Sequence, residues 1–136
     1  MSMRKFNIDP IKPFFIYDTA GDWLAFKLGE YIYDLRGEYI GFTRTDMHDV
    51  YTASGEWIGN LIQDGRIVRK RNYQRPPLLK SSELPVKPEK IRIPNRAPLP
   101  PQTADLGFSL VDVLEWDPDV FKRLSDLVAD AGEETQ

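Results

Sequence analysis

One phrase, written three times, limits what this chain can fold into. It reads Phe15-Ile16-Tyr17-Asp18-Thr19-Ala20-Gly21-Asp22-Trp23-Leu24-Ala25, then Tyr31-Ile32-Tyr33-Asp34-Leu35-Arg36-Gly37-Glu38-Tyr39-Ile40-Gly41, then Asp49-Val50-Tyr51-Thr52-Ala53-Ser54-Gly55-Glu56-Trp57-Ile58-Gly59. The tyrosines fall at 17, 33 and 51. Units this short cannot bury their own apolar residues, so they must stack or pack radially.

Each copy predicts a β-hairpin. Asp18-Thr19-Ala20-Gly21 has the chemistry of a type I turn, with Asp bonding its own backbone and Gly free to take positive φ. Leu35-Arg36-Gly37 and Ala53-Ser54-Gly55 repeat the choice. The register that follows sets Tyr17 against Trp23, Ile16 against Leu24 and Phe15 against Ala25. The second copy pairs Tyr33 with Tyr39, Ile32 with Ile40 and Tyr31 with Gly41; the third pairs Tyr51 with Trp57 and Val50 with Ile58. Each hairpin thus has an aliphatic face, expected to be the core, and an aromatic face, on which Ala25, Gly41 and Gly59 leave gaps. Asp64-Gly65 marks a fourth, degenerate hairpin, and residues 3–8, ahead of Pro10 and Pro13, suggest a short edge strand.

The expected fold is mainly β: antiparallel hairpin repeats, three clear and a fourth degenerate, in a compact radial or meander arrangement. Residues 1–75 form this repeat domain. Residues 76–104 hold eight of the eleven prolines and read as a linker or an arm crossing a surface. Residues 105–136 form an acidic tail. Asp117-Pro118-Asp119 starts an amphipathic helix over about residues 118–131. Its stripe, Val120, Phe121, Leu124, Leu127 and Val128, needs an apolar dock, because a helix of about 13 residues is marginal alone.

The net charge of −3 gives no general attraction to nucleic acid or acidic membrane. The acidity lies in residues 102–136, with nine acidic and two basic side chains. The chain has no cysteine, which excludes disulfides and thiolate metal sites and fits a cytoplasmic location. No apolar run approaches the roughly 18 residues of a membrane span, and no signal-peptide core follows Arg4-Lys5.

The phrases Tyr17-Asp18-x-x-Gly21, Tyr33-Asp34-x-x-Gly37 and Tyr51-Thr52-x-x-Gly55, ending in Ile-Gly, resemble the four-fold β-flower domain, a bacterial family whose short hairpins are arranged like petals. The resemblance covers roughly residues 14–70. The Tyr-Asp repeats of shell-forming secreted toxins and the Asp-x-x-Gly-x-x-Ile-Gly phrase of the PRC-barrel are similar as well. This chain is too short to close a shell, and three tandem copies are too many for a PRC-barrel. The β-flower resemblance implies a fold and no particular activity.

Candidate sites follow from residue chemistry. The aromatic face, Tyr17, Trp23, Tyr33, Tyr39, Tyr51 and Trp57, suits small-ligand or carbohydrate binding, because such rings combine flat apolar area with a polar tip. Cross-strand packing explains the same rings and weighs more. Arg66, Arg69, Lys70, Arg71 and Arg75, with Tyr73 among them, could bind single-stranded nucleic acid; guarding an edge strand is the plainer reading. His48, with Asp46 and Asp49, is too sparse a set for a metal centre. The turn acids Asp18, Asp22, Asp34, Glu38 and Glu56 are explained by turn chemistry, so no catalytic residue and no cofactor is expected. The Pro85-x-x-Pro88 and Pro98-x-x-Pro101 phrases have the form of ligands for aromatic grooves, which a proline-rich segment also produces by chance. The reading that accounts for most of the chain is a non-enzymatic interaction or structural module. Its tail helix docks on its own domain, a second copy or a protein partner.

Overall fold

A computed structural model describes residues 12–44, 48–74, 76–94, 99–100, 102–103 and 105–121. Eight antiparallel strands form one curled sheet in sequence order: β1 (Phe14–Tyr17), β2 (Trp23–Leu28), β3 (Tyr31–Tyr33), β4 (Tyr39–Arg44), β5 (Asp49–Thr52), β6 (Trp57–Leu61), β7 (Ile67–Lys70) and β8 (Leu110–Asp112). One short helix, α1 (Val113–Trp116), follows β8, with Asp112 Oδ1 accepting from the Leu114 and Glu115 N–H groups. The mainly β fold read from the repeats is the fold observed. None of the helices among the described residues is long and apolar enough to cross a membrane.

The turns of the three repeats, and the fourth turn between β6 and β7, are the same object. In each, the N–H of a glycine donates to the carbonyl three residues earlier: Gly21 to Asp18, Gly37 to Asp34, Gly55 to Thr52 and Gly65 to Ile62, at 2.9–3.0 Å. These glycines have φ of 90°, 83°, 93° and 91°, a region where a β-carbon is strained. Asp18 Oδ1 accepts from the Asp22 N–H (2.9 Å), and Asp34 Oδ1 accepts from those of Arg36 and Glu38 (2.8 and 3.0 Å). The carboxylates of Asp18 and Asp34 are therefore held by the backbones of their own turns.

The register departs from expectation one step beyond each turn. Tyr17 pairs with Trp23, Tyr33 with Tyr39 and Tyr51 with Trp57, as the repeat predicts. Then a β-bulge intervenes, and Ile16 faces Ala25, Ile32 faces Gly41 and Val50 faces Gly59. Leu24, Ile40 and Ile58 are the extra residues. A bulge sets two consecutive residues against one and turns both toward the same face. The small residues thus lie on the inner, aliphatic side, correcting their assignment to the aromatic face. A side chain at Gly41 would begin 2.4 Å from the Tyr51 carbonyl oxygen and 2.9 Å from the Phe121 ring. At Gly59 it would meet the Val68 carbonyl oxygen at 2.6 Å.

The core consists of Ile16, Ala25, Ile32, Val50, Ile58, Leu61 and Ile67 from the sheet, closed by Val113, Leu114, Val120 and Phe121 from the tail. Val113, Leu114, Val120 and Phe121, the last two being the first members of the expected helix stripe, therefore dock on their own domain. Leu124, Leu127 and Val128, most of the helix expected over residues 118–131, and the edge strand expected over residues 3–8 lie outside the described residues.

Between β7 and β8 the described residues form a strap that meets the turn tips in reverse order. The Leu79 N–H donates to the Gly55 carbonyl and the Ile91 N–H to the Gly37 carbonyl, both at 3.1 Å. Leu84 also lies against Gly55, and Pro100 against Gly21. At the fourth turn the donor is β1 itself, the Tyr17 N–H reaching the Gly65 carbonyl at 2.9 Å, so the first and last hairpins meet.

Candidate functional site

The outer face is a run of rings. Phe15 meets Trp23 edge-on (5.5 Å between centroids), Phe26 stacks on Tyr33 (5.4 Å), Tyr31 meets Tyr39 edge-on (5.7 Å) and Phe42 stacks on Tyr51 (5.2 Å). Tyr17 and Tyr33 are buried; Trp23, Tyr39, Tyr51 and Trp57 are half-buried. The six sequence candidates therefore share a face without forming one open surface. Burial raises the hydroxyl pKa of Tyr17, Tyr33, Tyr39 and Tyr51, because the ionised form loses its hydration.

At the third hairpin the face opens. Tyr51 and Trp57, with Tyr73 beyond β7 and Pro76, Pro77 and Leu79 at the start of the strap, line a groove of about 450 Å³. Trp57 and Tyr73 are 5.7 Å apart. Asp49 stands in the groove with Oδ1 accepting from Trp57 Nε1 (3.1 Å) and Asn60 Nδ2 (2.8 Å). The carboxylate is thus fixed beside flat apolar walls. Tyr73 is the member that sequence periodicity misses, because it lies outside the repeat and reaches Trp57 only through the fold.

The basic run does not form one patch. Arg66 is buried, with Nη2 2.7 Å and Nε 3.0 Å from Asp64 Oδ2 and Nη1 donating to Thr19 Oγ1 at 3.2 Å. Arg69 lies over the Tyr73 ring at 4.2 Å, while Arg71 donates to the Phe108 carbonyl (2.9 Å) and lies over Trp116 at 5.3 Å. Lys70 is exposed, and Arg75 is outside the described residues. The arginines are spent on internal contacts.

Two further polar features carry no signal in the repeat. Asp112 Oδ2 accepts from the N–H (2.6 Å) and hydroxyl (2.7 Å) of Thr19, tying β8 to the first turn and, through Thr19, to Arg66. Lys27, on the inner face opposite Ile32, is fully buried and donates to the Gly29 carbonyl. Burial lowers its pKa to about 8, against the opposing pull of Glu30. His48 is half-buried and follows residues that are not described, and among the described residues no three His, Asp or Glu side chains converge as a metal centre would require.

The petals, their shared turn and the strap over their tips correspond to a described family, 4-fold beta flower protein, which matches residues 11–109. The chain belongs to the four-fold β-flower family. The match runs through the strap and stops just before β8, so the region shared with this family includes the proline-rich segment and leaves out the core-closing tail. Neither the curated proteins nor the solved structures contain a match to this chain.

Proposed function

We propose that this β-flower protein is a non-enzymatic interaction module that presents its strap to a protein partner. The observation that carries this reading is where the exposed apolar area lies. Of the seven exposed large apolar side chains among the described residues, six, Leu78, Val86, Ile93, Leu99, Phe108 and Trp116, lie between residues 78 and 116. Backbone hydrogen bonds of Leu79 and Ile91 and the seated side chains of Leu79 and Leu84 fix the strap while these residues face outward. A fixed extended segment with outward apolar groups loses little entropy on binding and presents the kind of anchors that dominate interfaces. Absence of cysteine fits a reducing compartment for such a module.

The test is proximity labelling in the protein's own cells, comparing the full chain with a Leu99→Ser, Phe108→Ser variant. Both positions are more than 90% exposed, at 92% and 93%, so the fold should persist. A reproducible partner set that is lost in the variant at unchanged thermal stability supports the reading. A set indistinguishable from that of an unrelated soluble protein sinks it. The buried, internally paired Arg66 weighs against nucleic acid as the partner.

A further inference from the structure

We infer that residues 122–131 of this chain seat their apolar stripe, Leu124, Leu127 and Val128, in a cavity on the inner side of the first two hairpins. The cavity measures about 680 Å³ and is floored by Leu24, Ala25 and Ile40, with Leu114, Pro118 and Phe121 of the tail as one wall. It marks a difference between equivalent positions. Leu24, Ile40 and Ile58 are the extra residues of the three bulges, yet Ile58 is only 2% exposed while Leu24 and Ile40 are half-buried. Among the described residues, the third hairpin's floor is covered and that of the first two is not. Aliphatic side chains left in part against water favour an apolar occupant.

The chain delivers such an occupant at the cavity wall. Val120 and Phe121 are already helical, with the Val120 N–H donating to the Asp117 carbonyl at 3.1 Å, and the Phe121 ring lies above Gly41. Fifteen residues follow, and 122–131 make about 15 Å of helix at 1.5 Å per residue. At helical spacing Leu124, Leu127 and Val128 share a side with Val120 and Phe121, whose place in the core is set. Charge agrees with this placement. Asp18, Glu38 and Asp119 stand on the cavity rim with Asp34, which is paired with Arg36 at 3.2 Å. Lys122 and Arg123 are the only basic side chains in residues 102–136. Arg123 flanks the stripe, while Asp126 and Asp130 fall on the far side, so the segment brings a cation toward the acidic rim and keeps its own acids off it. A second copy would have to compete with a segment tethered at the cavity itself, where effective concentration favours the tether. The strap keeps its exposed apolar groups in this arrangement, so the inference stands apart from the partner reading.

The test exploits the absence of cysteine, which lets two introduced thiols report on one contact in the full chain. One thiol is placed on the floor, by Leu24→Cys or Ile40→Cys, and the other in the tail, by Leu124→Cys, Asp126→Cys or Val128→Cys. With oxidised glutathione as the oxidant, the faster of positions 124 and 128 should close an intramolecular disulfide about tenfold faster than position 126. Position 126 lies between them in sequence, so a loosely tethered tail would give three similar rates. A second readout needs no thiol. Leu124→Ser with Val128→Ser should raise the fluorescence of an apolar dye several-fold, with amide exchange at Ile91 unchanged, and Asp126→Ser should not. Three similar rates overturn the inference, as does dye binding unchanged by the double serine variant. Disulfides formed only between molecules would assign the cavity to the tail of a second copy. Similar rates together with proximity partners lost in the double serine variant would assign it to a protein partner.

Discussion

Across each repeat's turn, Ile16, Ile32 and Val50 on the inner face are set against two consecutive residues of the next strand, whereas Tyr17, Tyr33 and Tyr51 on the outer face are set against one. The bulge creates this difference. It doubles the inward aliphatic residues without lengthening the strands, and it requires the second of each pair to be Ala or Gly. The inner face then closes with the help of Phe121 above Gly41. Among the described residues the outer face has no second layer beyond its rings and strap, and a groove remains at the third hairpin. One face has been filled for stability, while the other retains accessible area.

If that contrast is right, inner substitutions should cost several times what outer ones do. Ile32→Ala should destabilise the fold by about 3 kcal/mol and Phe121→Ala by about the same, the usual range for emptying a packed site. Tyr51→Ala, with one side of its ring open to the groove, should cost about 1 kcal/mol. Urea denaturation measures all three. Equal losses for Ile32→Ala and Tyr51→Ala would remove the distinction between faces, and a negligible loss for Phe121→Ala would detach the tail from the core.

The strap can be separated from turn geometry by comparing two glycines. Gly29 (φ 63°) has open space where a β-carbon would go, whereas at Gly37 (φ 83°) that carbon would lie 2.0 Å from the Ile91 carbonyl oxygen. Gly29→Ala should cost about 1 kcal/mol, the price of left-handed backbone alone. Gly37→Ala should cost about 2–3 kcal/mol, because the strap must also lift. Amide exchange at Ile91 should speed up only in the second variant. Equal costs with unchanged exchange would mean that the strap is not seated on the turn.

A pH titration should resolve the two faces by sign. Lys27, on the inner face, has its pKa lowered from 10.5 to about 8, so between those values the unfolded chain holds a proton that the folded chain has released. Stability should therefore rise from pH 8 towards pH 10, by about 1–2 kcal/mol. The raised pKa values of Tyr17, Tyr33, Tyr39 and Tyr51 act oppositely, because above pH 10 the unfolded tyrosines lose protons that the folded ones keep. Stability should then fall. Lys27→Met should abolish the rise and leave the fall, and a rise that survives this substitution would assign it to another group.

The sequence announces the turns and the ring pair beside each turn because both depend on contacts a few residues apart. It conceals the bulge, since Leu24-Ala25, Ile40-Gly41 and Ile58-Gly59 read equally well as residues on opposite faces until the pairing partner is known. β8 is concealed for a similar reason. Three residues, Leu110–Asp112, make too short a run to stand out, and their partner β7 lies across the whole strap. Arg66 reads as surface charge in a basic run because Asp64, two positions away, is explained by the turn alone, and only the fold shows that the pair is buried. Tyr73 joined the groove only when the fold brought it to Trp57.

The smallest expected effect lies where exposure is greatest. Val86→Ser and Leu78→Ser remove apolar groups that touch little of their own domain, so each should change folding stability by less than about 0.5 kcal/mol. Leu79→Ser, one residue from Leu78, removes a side chain seated on Gly55 and should cost about 2 kcal/mol. The adjacent pair therefore asks whether the strap is two-sided. Its backbone hydrogen bonds are the same in both variants, so a difference in denaturation midpoint must come from which side chain faces the turns. Equal losses at Leu78 and Leu79 would make the outward apolar groups part of the fold, and their exposure would no longer point to a partner.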